Sequence, residues 1–292
     1  MLGGGKTGTT SLHRYLDLHP QIEMSHPKEL RFFADEPEPE AMPPLKDPAD
    51  RRLLAGTKGN LERGIEWYRS HFDPDCQVRG ETSPVYASPW HTRCAERIAA
   101  AVPDVRLVLI LRDPVERAVS YFRDGQRARA DRRPPEEALA PGGYAANGSR
   151  FSLALARYLQ LFGREGILTI SSEALAANPQ ATMRAVFAHA GVDADFSSPE
   201  FDRRWNVTDR RRGLRHRLMA GARRIPRWSV VAELPPKRAT WALERATTAR
   251  TSPSRNGDGI PDQVRARLRE AFADEAAASR ELTGMALEEW SV

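Results

Sequence analysis

A glycine-rich turn that opens a helix is the part of this sequence with the clearest chemistry. Residues 3–12 read Gly-Gly-Gly-Lys-Thr-Gly-Thr-Thr-Ser-Leu. Backbone N–H groups at a helix start, together with a lysine and hydroxyl groups, can surround one phosphate-like anion. The positions that we expect to bind this anion are Gly5, Lys6, Thr7, Gly8, Thr9, Thr10 and Ser11.

A second candidate anion site follows an apolar segment in the middle of the chain. Residues 105–111 are nearly continuous in apolar side chains, which is typical of a strand covered on both faces. Arg112 follows at the carboxyl end of this predicted strand, and Pro114 suits the first turn of a helix. Ligands collect at this edge of open α/β sheets. Two separate anion sites suggest a nucleotide that is phosphorylated at both ends.

The elements around these motifs predict an α/β fold, with a P-loop-like central parallel sheet flanked by helices on both faces. A buried strand normally precedes such a glycine loop, but only Met1 and Leu2 precede Gly3. We therefore expect either that this strand has been lost or that the true start lies upstream. Helices are predicted over 9–18, 62–72, 91–101, 151–162, 179–190 and 261–282, and short strands over 77–81 and 167–170.

Length and composition predict one domain over residues 1–292. A chain of 292 residues with 40% hydrophobic content can bury a sizeable core. We expect insertions near 35–60, 126–150 and 203–260, the first because it is rich in proline and acids and has little periodicity. The Arg-, Pro- and Gly-rich segment 126–150 is predicted to be mobile.

The charge and the cysteines restrict the classes of ligand. A formal net charge of +5, with basic residues in bunches, favours anionic ligands at particular sites rather than nucleic acid. Cys76 and Cys94 form no CxxC or zinc spacing, so we expect no zinc site, and the sequence favours free cysteines but leaves a disulfide between them open. We find no apolar run of about 18 residues and no signal-peptide pattern. We therefore expect no membrane span and a cytoplasmic protein.

Two alternatives stay open at this point. The nucleoside triphosphate P-loop has the form G-x-x-x-x-G-K-[ST], and Gly5, Lys6 and Thr7 supply only its last three positions. The only aspartate after a second strand, Asp113, is followed by proline and belongs to the arginine motif. A kinase that uses ATP and magnesium is therefore the second choice. An inactive nucleotide-binding scaffold is the third.

Four motifs in the same order resemble sulfotransferases that use 3′-phosphoadenosine 5′-phosphosulfate (PAPS). They are residues 5–12, residues 19–33 with their His-Pro pair and Lys-Glu-Leu-Arg-Phe-Phe run, residues 80–86 and residues 112–121. The similarity is nearest to the branch with heparan sulfate and related carbohydrate sulfotransferases. It extends more loosely through Asn206 to the final helix and Trp290.

The resemblance implies PAPS as the donor, the 3′,5′-bisphosphate (PAP) as the product, and no metal. It places the 5′-phosphosulfate on Lys6, Gly8, Thr9 and Thr10. It also implies that Arg112 and Ser120 hold the 3′-phosphate and that Arg212 and Gly213 add a loop over the nucleotide. An arginine fork and a hydroxyl suit such a phosphate.

The resemblance also implies the catalytic residues. Glu29 stands at the position of the catalytic glutamate and is the expected general base for the acceptor. Lys6 is expected to stabilise the leaving phosphate. The expected acceptor is a carbohydrate or a small molecule with a hydroxyl or amine, in contact with Lys28, Arg31 and Glu81. Carbohydrate relatives often carry lysine where this chain has Thr82, which questions an anionic sugar as the acceptor. The oligomeric state stays open.

Overall fold

The described residues alternate helices with short parallel strands. The computed structural model describes residues 3–128, 131–202 and 259–292. The predicted nucleotide loop at Arg212 and Gly213, Asn206 and most of the insertion at 203–260 lie outside these ranges. The helices are α1 (Thr9–Asp17), α2 (Pro48–Ala55), α3 (Ile65–Arg69), α4 (Cys94–Ala101), α5 (Pro114–Ala128), α6 (Pro135–Ala138), α7 (Tyr144–Asn147), α8 (Phe151–Phe162), α9 (Ser172–Ala177), α10 (Pro179–Ala190) and α11 (Asp262–Thr283).

The strands form two parallel pairs. They are β1 (Ile22–Met24), β2 (Val78–Gly80), β3 (Leu107–Leu111) and β4 (Ile167–Ser171). β1 pairs with β2, and β3 pairs with β4. A cleft of about 930 Å³, lined by residues of β2 and β3, lies between the pairs. Parallel strands joined through helices confirm the predicted α/β class.

Helices cover both faces of β3, as the sequence predicts. All five residues of β3 are buried, and successive side chains of a strand point to opposite faces. Leu107, Leu109 and Leu111 belong to a core cluster with residues of α4 and α8. Val108 and Ile110 belong to another cluster, with residues of α1 and α10.

Two predictions for the first third of the chain need correction. The insertion predicted near 35–60 from its lack of periodicity contains α2, because Asp47 accepts a hydrogen bond from the Ala49 N–H and Pro48 occupies the first turn. These start signals outweigh the missing periodicity. The helix predicted over 62–72 is divided, since Gly64 has φ 79° and separates a 3₁₀ turn at Leu61–Arg63 from α3.

The prediction of a mobile segment at 126–150 is wrong for much of its length. Arg133 forms ion pairs at 2.6 Å with both Asp50 and Asp131, whose side chains are buried. The Tyr144 N–H donates to Asp50, and all four residues of α7 are buried. The arginine therefore fastens this segment to α2, through contacts that composition alone does not reveal.

Two further observations concern the cysteines and the helices. Cys76 and Cys94 are both free thiols. None of the helices within 3–128, 131–202 and 259–292 is long and apolar enough to cross a membrane.

Candidate active site

A cavity of about 570 Å³ lies between the glycine loop, the segment around Glu29 and the helix α5. The predicted site residues that line it are Gly5, Lys6, Thr9, Thr10, Lys28, Glu29 and Arg31. Those outside its lining are Thr7, Gly8, Ser11, Glu81, Arg112 and Ser120. The fold therefore brings together two motifs that are separate in the sequence.

The glycine loop is a tight turn that leads directly into α1. The Thr7 hydroxyl donates to the Gly4 carbonyl at 2.8 Å, so this side chain shapes the loop from inside. Gly8 precedes the helix with φ 100°, where any side chain would be strained and would also press on Ile110. Lys6 itself has φ 76°, an unusual conformation for a residue with a side chain. Strained backbone of this kind is often found at functional sites.

Two arginines donate hydrogen bonds to backbone carbonyl groups of the loop. Arg112 Nη1 donates to the Lys6 carbonyl at 2.8 Å. Arg117 Nε donates to the Gly5 carbonyl at 2.9 Å, and its Nη1 donates to Ala145 at 2.7 Å. Arg117 is buried, and burial lowers its pKa to about 10. Arg117 is not among the site residues predicted from the sequence, although its position one turn into the helix after Arg112 is a usable signal.

Lys6 has an acidic neighbour that the sequence analysis missed. Its Nζ lies 3.2 Å from Oδ1 of Asp124, which projects from α5 into the same cavity. The Lys6 side chain is 11% exposed, against 44% for Asp124. This contact joins residues far apart in the chain, and no local pattern indicates it.

Glu29 is held as a carboxylate between two cations. One of its oxygens accepts from Lys28 Nζ and the other from Arg31 Nη2, both at 3.2 Å. Burial alone raises the pKa of Glu29, but the opposing charges of Lys28 and Arg31 outweigh it, so the pKa is lowered. Burial also lowers the pKa of Lys28, although Glu29 opposes that shift. Glu29 is therefore ionised near neutral pH and able to accept a proton.

Glu81 lies outside this cavity and supports the segment that carries Glu29. Its carboxylate is buried, which raises its pKa, and it accepts hydrogen bonds from Ser83 and Tyr86. Ser83 Oγ accepts from the Arg31 N–H at 2.9 Å, and Tyr86 OH accepts from the Phe33 N–H at 3.2 Å. The network thus holds the backbone at Arg31, whose φ of 51° is strained.

The position that departs from the carbohydrate relatives also faces inward. Thr82 is buried, and its Oγ1 lies 3.0 Å from Nδ1 of His13 on α1. Thr82 is not among the residues that line the cavity. It therefore contributes to packing between α1 and β2 rather than to the cavity wall.

Aromatic and basic residues form the rest of the cavity wall. Trp90 stacks on Tyr144 with ring centroids 4.9 Å apart, and Tyr121 meets Tyr144 edge to face at 5.5 Å. These rings line the cavity together with Arg127 of α5. Thr57 also lines it and contacts the buried His91. Their assembly depends on tertiary packing, so the sequence analysis did not find this wall.

The part of the chain that the structure describes contains no group of three or more His, Cys, Asp or Glu side chains placed to hold a metal ion.

Comparisons with known proteins agree on one family. A membrane-associated sulfotransferase, kil1 of Dictyostelium discoideum, is 31% identical over 127 residues, which cover 42% of this chain and 21% of that protein. The mouse (Mus musculus) bifunctional heparan sulfate N-deacetylase/N-sulfotransferase 4 is 25% identical over 229 residues, which cover 68% of this chain and 23% of that protein. The chain thus spans less than a quarter of these relatives.

A solved sulfotransferase from Alicyclobacillus acidocaldarius has the same fold. It superimposes with a TM-score of 0.66 and 24% identity, covering 100% of this chain and 97% of that one. The model of the sulfotransferase family matches residues 1–196, which include the glycine loop, Glu29 and Arg112. The chain belongs to the sulfotransferase family.

Proposed function

We propose that this protein transfers a sulfuryl group from PAPS to a hydroxyl or amine of a carbohydrate or small-molecule acceptor. The observation that carries the proposal is one cavity with a lysine at a helix N-terminus on one side and an ionised Glu29 on another. Membership of the sulfotransferase family favours this reaction over phosphoryl transfer from ATP.

The residues around the glycine loop fit the donor. Lys6, Thr9 and Thr10 offer a cation and hydroxyl groups beside the start of α1, which is suited to the 5′-phosphosulfate. Arg112 donates a hydrogen bond to the Lys6 carbonyl of the same loop. Ser120 lies further along the chain, on α5. We assign the 3′-phosphate to Arg112 and Ser120.

Each residue has a defined part in the displacement. The acceptor oxygen or nitrogen forms a bond to sulfur while the bond from sulfur to the phosphate oxygen breaks. Glu29 takes the proton that the acceptor loses. Lys6 and the N-terminus of α1 stabilise the negative charge that develops on the leaving phosphate. This division of roles requires the acceptor to enter on the side of Glu29.

The acceptor side of the cavity combines positive charge with aromatic rings. Lys28 and Arg31 flank Glu29, and a cavity of about 570 Å³ is in the size range of small-molecule sites. The mouse relative is named for heparan sulfate, which supports a carbohydrate acceptor. We therefore expect a sugar unit or a molecule of similar size.

A transfer assay with sulfur-labelled PAPS and a panel of hydroxylated and aminated acceptors tests the proposal. We expect label on an acceptor without added magnesium. Calorimetry with PAP provides the second readout, because binding without transfer to any acceptor indicates a scaffold. Phosphoryl transfer from ATP and magnesium, with no binding of PAP, contradicts the proposal in favour of a kinase.

A further inference from the structure

Asp124 and Lys6 form an ion pair inside the cavity that the donor is proposed to occupy. Lys6 Nζ lies 3.2 Å from Asp124 Oδ1, and the lysine side chain is only 11% exposed. The two residues come from different elements, since Lys6 belongs to the glycine loop and Asp124 to α5. The pair therefore joins the loop to the helix across one wall of the cavity.

A carboxylate beside this lysine opposes the binding of an anion. An ammonium group has three N–H donors and one positive charge, so a carboxylate and a phosphate that share it repel each other, and each weakens the other's contact. The nearby guanidinium groups donate to backbone carbonyls, Arg112 to Lys6 and Arg117 to Gly5. The loop's own lysine is thus the cation for which Asp124 and a bound phosphate compete directly.

We propose that Asp124 is a positioning residue that holds the ammonium of Lys6 before the donor binds and gives it up when the donor's phosphate binds. The inference rests on the proposed function. Asp124 keeps Lys6 extended along the cavity wall and, by taking the ammonium back, assists release of PAP. The contact lowers the affinity for the nucleotide and speeds its dissociation.

The variant Asp124→Asn tests this exchange, since it removes the charge and keeps the shape. We expect PAP to bind about three- to tenfold more tightly and to dissociate more slowly by a similar factor, as fits a partly exposed ion pair. The measurements are calorimetry for affinity and stopped-flow displacement for the dissociation rate. Circular dichroism checks that each variant is folded.

A matched variant distinguishes the loss of the contact between Asp124 and Lys6 from a general change in the charge of the cavity. Glu29→Gln removes one negative charge from the same cavity, where Glu29 pairs with Lys28 and Arg31 instead of Lys6. We expect Glu29→Gln to change PAP affinity less than Asp124→Asn does. In a Lys6→Met background, Asp124→Asn should lose its effect, because the ammonium group is absent.

The outcomes distinguish this inference from the proposed function. If the unmodified protein binds PAP but Asp124→Asn leaves affinity unchanged or weaker, the inference alone is overturned. Equal tightening by Glu29→Gln, or tightening that persists in Lys6→Met, overturns it as well. If the unmodified protein binds no PAP, the proposed function fails first, and the inference fails with it.

Discussion

Arg112 donates a hydrogen bond from Nη1 to the backbone carbonyl of Lys6 at 2.8 Å. The arginine that follows β3 therefore touches the loop that precedes α1, although the two residues are far apart in the sequence. The two predicted anion sites are thus neighbours, and one nucleotide with phosphates at both ends can reach both. The hydrogen bond supports the loop, and we propose that the same arginine also binds the 3′-phosphate.

Replacing Glu29 with glutamine is expected to abolish most turnover and to retain PAP binding. A positioned general base contributes about 10²- to 10⁴-fold to rate, and the side chain pairs with Lys28 and Arg31 rather than with Lys6. Initial rates measure the loss of turnover, and calorimetry on the same preparation measures PAP binding. Glu36→Gln is the matched control, since Glu36 is exposed and pairs with Lys58 outside the cavity. Full activity of Glu29→Gln shows that the base lies elsewhere.

The lowered pKa of Glu29 predicts how turnover depends on pH. Because Lys28 and Arg31 lower its pKa below the usual 4.5, Glu29 stays ionised down to acidic pH, and turnover falls only below about that value. Arg31→Gln removes one of these cations, so the pKa of Glu29 rises and the acidic limb of the rate profile moves to higher pH. Rate profiles from about pH 3 to pH 8 measure the shift. If the acidic limb of the Arg31→Gln profile does not move, the assignment of Glu29 as the titrating base is wrong.

Lys6 and Arg112, the two cations that we assign to the donor, are expected to differ in their effects when each is replaced. Lys6→Ala is expected to weaken PAP binding and to reduce turnover, since Lys6 acts on the leaving phosphate. Arg112→Ala is expected to weaken PAP binding by about 1.5–3 kcal/mol, the contribution of a hydrogen bond to a charged group. Calorimetry measures both. Arg184→Ala is the control, because Arg184 forms an exposed ion pair with Asp195. Unchanged PAP affinity in Arg112→Ala contradicts the assignment of the 3′-phosphate.

The hydrogen-bond network of Glu81, Ser83 and Tyr86 supports the segment that carries Glu29. We therefore expect that breaking this network lowers both stability and turnover. Ser83→Ala leaves the Arg31 N–H without its acceptor and removes a hydrogen bond to Glu81. We expect the free energy of unfolding to fall by about 1–3 kcal/mol and turnover to fall, with PAP affinity unchanged. Urea unfolding and kinetics test this. Ser70→Ala, which removes an exposed hydroxyl that donates to Trp67, should change neither turnover nor affinity.

His91 predicts a loss of stability in acid. Its Nε2 lies 2.9 Å from Thr57 Oγ1, and the Thr57 hydroxyl donates to Leu54, so Nε2 of His91 carries a proton and donates to Thr57. Burial, with smaller contributions from Arg31 and Arg97, lowers its pKa from 6.5 to about 4. Below pH 6.5 the unfolded chain binds a proton that the folded chain does not, so stability decreases towards pH 4.

The expected size of this effect is about 3 kcal/mol between pH 6.5 and pH 4, from about 1.4 kcal/mol for each unit of pKa difference. Urea unfolding at several pH values measures the slope. His91→Asn should flatten the slope in this interval and leave it unchanged above pH 7. An equal slope for both proteins in acid shows that other groups cause the loss.

Local patterns in the sequence predicted much of the fold and the frame of the site. The apolar run identified the buried strand β3, and the glycine loop with Thr9 identified the start of α1. These signals lie within a few neighbouring residues, where periodicity and helix-start chemistry operate. The assignment of Glu29 depended on the resemblance to a family, because a single carboxylate after a lysine has no distinguishing local pattern.

The contacts that complete the site depend on tertiary packing. Asp124 meets Lys6, and Arg117 meets Gly5, across more than 100 residues of chain. Glu81 was expected to contact the acceptor, but its hydrogen bonds run to Ser83 and Tyr86, away from the cavity. No spacing rule predicts such partners.

The most direct test of the central claim is a crystal structure of the protein soaked with PAP. We expect the 5′-phosphate within hydrogen-bonding distance of Lys6 Nζ at the start of α1, and the 3′-phosphate on Arg112 and Ser120. PAP bound at another place, or bound with either phosphate away from these residues, contradicts the proposed donor site.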